Sequence, residues 1–133
     1  MAVGTLMPNT FLAANQTIGV TSKTLAGTDC GTKQVVTTDA QTFTLPAVAA
    51  ANVGQTFTIV NGAQNNGDLT FTLATNAADA MNGLGFSAAN GKGAVLTKAT
   101  SCPGDYITVV SSGSTGAGGW SVVEAVGTYT RVP

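Results

Sequence analysis

The chain has 133 residues, of which 44% are hydrophobic but only 8% charged and 6% aromatic, with 17 glycines, no histidine and a formal charge of −1. That length allows one domain, and near neutrality excludes the basic footprint of a nucleic-acid binder and the high net charge of a disordered chain. The missing imidazole removes the commonest metal ligand and general base, while so few charges protect a small domain poorly against self-association, which points to an assembled protein.

Residues 1–28, rich in Thr, Ala and Gly, have weak periodicity and read as an extended N-terminal arm or a pair of short strands. Pro8, Asn9, Asn15 and Gln16 interrupt the first twenty residues, which lack a basic opening, so no signal peptide is expected. No run approaches the ~18 apolar residues of a membrane span.

Beyond Gly31 the strand signals sharpen. Lys33–Thr38 is β-branched, and Thr42–Leu45 alternates until Pro46, which has no amide to donate. Residues 47–51 read as a tight connection. Gln55–Val60 and Leu69–Leu73 alternate around Asn/Gly-rich turn residues and predict a β-hairpin. Asn76–Met81 suggests one helical turn capped by Asn76. Ala94–Lys98, Tyr106–Val110, Trp120–Glu124 and Thr128–Val132 predict further strands, and the small-residue run Ser111–Gly119 reads as a loop. The fold class expected is all-β: a compact single domain of short antiparallel strands, sandwich- or barrel-like, over residues 29–133.

The strand faces opposite Phe57, Ile59, Phe71 and Leu73 carry Thr56, Thr58, Thr70 and Thr72 where charges would be usual. Two readings stand: faces that pack between subunits, where a charge would need a partner, or the strand propensity of threonine.

The sequence offers no catalytic constellation. Serines and two cysteines lack a partner base. Asp79, Asp105 and Glu124 could converge in space as paired carboxylates, but turn formation explains Asp29, Asp39, Asp68 and Asp105 at least as well. The run Gly85–Gly93 has the wrong spacing for a phosphate loop and places Gly93 where a hydroxyl must hold the metal. No calcium loop occurs, and Cys30 and Cys102 fit no zinc site; two reduced thiols and one long-loop disulfide both remain open. No cofactor or metal is expected. Trp120, Tyr106 and Tyr129 could form a sugar platform, although Trp120, heading a strand after glycines, suits a core or interface anchor better.

The order of segments carries a resemblance. Asp29 through Leu45-Pro46, Val53–Gly62, Ala78–Gly85, Lys98-Ala99, Pro103–Val110, Gly119–Val122 and Gly127-Thr128-Tyr129 together resemble the β-rich module of tailed-bacteriophage virion proteins, particularly capsid cement (decoration) proteins. The resemblance covers about residues 29–131 and rests on structural turns and strand starts. It implies a non-enzymatic homotrimer on the outer surface of an icosahedral head, bound to the major capsid protein, made in the host bacterial cytoplasm, with no nucleic-acid or membrane partner. Phe57, Phe71, Tyr106 and Trp120 would then lie at the trimer interface or in the core, and Leu6, Phe11, Leu12 and Ile18 on an arm reaching along the shell. The alternative is a receptor- or glycan-binding module of a head or tail fibre. The chain has no long repeat or heptad pattern, which favours cement over fibre.

Overall fold

The computed structural model describes residues 16–133. The chain is all-β, and it begins by alternating between two facing sheets. Strands β1 (Gln16–Ile18), β3 (Lys33–Val36) and β5 (Thr56–Asn61) fall in one sheet, and β2 (Lys23–Thr24), β4 (Gln41–Thr44) and β6 (Phe71–Ala74) in the other. Within each sheet every new strand runs parallel to the one two before it. The link between parallel neighbours, usually a helix, is here a short strand of the opposite sheet, so the first half winds as three two-stranded rungs.

The second half closes this winding with reversed strands. β7 (Asp79–Asn82) returns to the first sheet and β8 (Ala94–Leu96) lies antiparallel to β6. β9 (Tyr106–Ser111) lies antiparallel to β5, β10 (Gly116–Val126) antiparallel to β9 and parallel to β7, and β11 (Tyr129–Arg131) antiparallel to β8. The final orders are β1-β3-β5-β9-β10-β7 and β11-β8-β6-β4-β2.

Several expectations need correction in detail. The sheets are mixed and not simply antiparallel. β5 and β6 lie in different sheets, so the predicted hairpin is a turn between layers. The helical turn at Asn76–Met81 gives way to β7, and the glycine run read as loop already belongs to β10 from Gly116. Gly116 and the strand following it are held at β7, where Gly116 stands opposite Asp79. Residues 16–28 supply β1, β2 and a 3-10 turn at Gly27–Asp29.

The core fills the space between the sheets. β5 and β9 each alternate half-buried and buried residues along their length. Phe57, Ile59, Ile107, Val109 and Trp120 face inward from the first sheet onto Phe43, Phe71, Leu73 and Leu96 of the second. Trp120 and Phe57 meet with ring centroids 5.6 Å apart and planes tilted by 55°, an arrangement favoured by aromatic quadrupoles. One glycine is indispensable to the closure. A Cβ on Gly93, just before β8, would sit 1.8 Å from the Leu73 carbonyl oxygen, so β8 reaches β6 only with a bare backbone there.

Candidate functional site

The outer face of the six-stranded sheet is built by the same alternation that fills the core. While Phe57, Ile59, Ile107 and Val109 turn inward, Thr58, Val60, Tyr106 and Thr108 turn outward. Register then aligns outward residues from strands far apart in sequence. Gln16 pairs with Lys33, Lys33 with Thr58, Thr58 with Thr108 and Thr108 with Glu124. Two residues along, Ile18, Val35, Val60, Tyr106 and Val126 form a second row across the same five strands. One row is polar and the other apolar. The Thr58 and Thr108 hydroxyls are 2.9 Å apart and bond to each other.

Between them these rows line an open depression of about 560 Å³, bounded by Gln16, Lys33, Thr58, Tyr106, Thr108 and Glu124. Glu124 reaches this face through a bulge. The pairing of β10 with β9 shifts register between Val122 and Glu124, so Val123 is the extra residue and Glu124 stands opposite the outward-facing Thr108. Its carboxylate accepts from the Tyr106 phenol and raises that phenol's pKa.

The eleven charged side chains of the chain are almost all engaged elsewhere. Lys23 pairs with Asp29 at 2.6 Å, and Lys98 pairs with Asp39. Lys92 donates to the Pro133 carbonyl and Arg131 to that of Ser87. Asp68 accepts from Asn65, and Asp105 from the Cys102 amide at 2.8 Å. Asp79, fully buried, accepts the Val48 amide at 2.8 Å and the Gly116 amide at 3.3 Å, stapling the loop at Val48 and the start of β10 to β7. Lys33 makes no ion pair or hydrogen bond among the described residues, and Glu124 faces Tyr106. These two share the depression.

The carboxylates considered from sequence do not gather at one point. Asp79 stands opposite Gly116, and Glu124 lies eight residues further along β10, roughly 25 Å at the rise of a strand. A glycosidic pair needs separations of about 5–10 Å. Asp105 is buried and committed to its own turn. The thiols are also apart and free. Cys30 accepts the Thr56 amide at one end of β5, and the Cys102 carbonyl accepts from Asn61 at the other. Five residues of strand separate those ends, roughly 17 Å, far beyond the ~7 Å that a disulfide spans between Cα atoms.

Of the aromatic candidates, Phe57, Phe71 and Trp120 are fully buried in the core, and Trp120 therefore offers no face to a sugar. Its indole Nε1 is buried without a hydrogen-bond partner among the described residues. Tyr129 packs edge-on against Phe71, centroids 6.3 Å apart, and donates its hydroxyl to the Val126 carbonyl. Tyr106 alone of the four interface-or-core residues stands on the outer face. Ile18, on β1, is 69% exposed, while Leu6, Phe11 and Leu12 lie outside the described residues. Sequence reading passed over Lys33, Thr58 and Thr108 as site residues. The available signal was the threonine alternation, which marks a face but cannot align strands. Searches against known families and curated proteins find nothing that matches this chain.

Proposed function

We propose that this chain is a structural virion protein, a cement (decoration) protein that binds the outer surface of an icosahedral phage head as a homotrimer and stabilises it. The segment order given above suggests the family. The observation that carries the reading is the allocation of charge: nine of the eleven charged side chains are engaged by the chain's own groups away from one sheet face. The sheet face left over is lined largely by threonine and valine. Such a face brings only two ions, Lys33 and Glu124, to a neighbour, which limits the desolvation cost of contact. Many modest contacts repeated on a symmetric lattice sum to strong net binding.

Sedimentation of the purified protein tests this directly, with a trimer expected that binds assembled shells and not isolated capsid subunits. Removing residues 1–15, which leaves β1 in place, is expected to abolish shell binding while the trimer persists. A monomer that ignores shells would overturn the reading.

A further inference from the structure

We infer that the outer face of the six-stranded sheet is a binding site for an oligosaccharide of no net charge. The inference rests on the two rows of side chains alone, and it competes with the cement reading for this face, which a sugar can occupy only where no neighbouring molecule covers it. From Gln16 to Glu124 the polar row crosses four strand spacings, roughly 19 Å, with the apolar row about 7 Å to one side. The depression of about 560 Å³ lies within the ~300–1,000 Å³ of small-ligand sites.

The chemistry selects the ligand. The backbone groups of β3, β5 and β9 are taken up by neighbouring strands on both sides, so an added peptide strand finds nothing to pair with at the centre of this face. What the face offers instead is side-chain chemistry: paired hydroxyls of Thr58 and Thr108, the Gln16 amide, and one ion of each sign. A pyranose carries hydroxyls on its rim and an apolar C–H face. Laid across the strands, it can place that face on Tyr106, Val60 and Val35, a stacking geometry suited to an amphipathic ring. Its hydroxyls then meet Thr58 and Thr108.

Lys33, without a partner among the described residues, and Glu124, engaged by the Tyr106 phenol, are the two charges of this face, and they stand three strand spacings apart in the polar row. Each can make a charge-assisted hydrogen bond to a neutral hydroxyl or acetamido group. Because their charges cancel, the face has no preference for a polyanion.

An array of neutral, N-acetylated and acidic oligosaccharides, probed with the full-length protein in its own assembly state, tests the inference. Retention on neutral or N-acetylated chains is expected. Tyr106→Ala and Thr108→Val should each weaken it by about tenfold or more. Tyr106→Phe, which keeps the ring, should preserve most of the binding, and Val53→Ser, remote from the rows, should leave it unchanged. Lys33→Met supplies a further surface variant that needs no core rearrangement, and it should also weaken retention. Comparison is made among variants that melt and sediment like the parent. Failure to retain any neutral or N-acetylated chain, retention of acidic chains alone, or binding indifferent to Tyr106→Ala and Lys33→Met would each overturn the inference. So would shell binding that depends on Tyr106 and Thr108 without any sugar binding, since the face would then be a protein interface. A chain that binds sugars but sediments as a monomer ignoring shells would sink the cement reading and leave this one standing.

Discussion

Asp39 shows how much a single side chain can organise here. Its Oδ1 accepts the amides of Ala40 at 2.9 Å and Thr70 at 2.8 Å, while Oδ2 takes the Lys98 ammonium. The Lys98 bond first, then the Thr70 and Ala40 amides, hold its carboxyl below the ordinary 3.8. A carboxyl depressed in the folded state stabilises the fold above its unfolded pKa, and that contribution is lost as pH falls through the folded value. The melting temperature of the parent is therefore expected to decline below about pH 4, and Asp39→Asn should show a smaller decline. The group is exposed, so the difference is modest; calorimetry between pH 7 and pH 2.5 measures it. The next residue, Ala40, sits at φ 61°, in the left-handed region. A glycine tolerates that geometry without the Cβ clash. Ala40→Gly is expected to stabilise the protein by about 0.5–1 kcal/mol, read as a higher denaturant midpoint with an unchanged slope.

At the scale of elements, the winding depends on close backbone approach as much as on burial. Gly93→Ala would drive a methyl into the Leu73 carbonyl and prise β8 from β6. A loss of about 2–3 kcal/mol is expected, visible in equilibrium denaturation. The elements themselves were largely readable from the residues. In Thr56–Asn61 and Tyr106–Ser111 inward and outward positions alternate cleanly, with Phe57, Ile59, Ile107 and Val109 inward as their apolarity predicts, although Asn61 and Ser111 are also buried and Val60 and Val110 face outward. Strand direction was not readable, because a period of two fits parallel and antiparallel neighbours equally well. The hairpin expected across residues 61–68 failed for this reason: Asn and Gly mark a reversal of the chain without saying which sheet it enters. The helical turn expected at Asn76 failed because Asp79 is claimed by the amides of Val48 and Gly116, a long-range demand no local propensity contains. Glu124 was legible only as an acid. Its place beside Thr108 is the work of the bulge at Val123, which plain alternation along β10 would not provide.

For the whole molecule, the same topology sets the folding problem. β5 must find β9 some fifty residues away, as the Thr58–Thr108 bond shows, and β10 must find β7 across residues 82–116. Loop closure precedes the reward from such pairings. Refolding in milliseconds to seconds is expected, well behind a helical domain of this size, and stopped-flow fluorescence of the single Trp120 reports it. The depression on the outer face shares this dependence, since its polar row draws one residue from each of five strands between Gln16 and Glu124. It exists only when the entire sheet is in register, which is why no local motif announced it.

Among the described residues β1 and β2 are the last strands of their sheets on the same side of the winding, and each leaves one row of amides and carbonyls without a neighbouring strand there. A second molecule laid there by simple translation would present an identical rim to a third, and the chain of additions would have no end. Rotation about an axis is what brings such a series back to its start. Whether copies that met there would make threads or closed rings thus turns on the angle at which one would meet the next over a rim of five described residues.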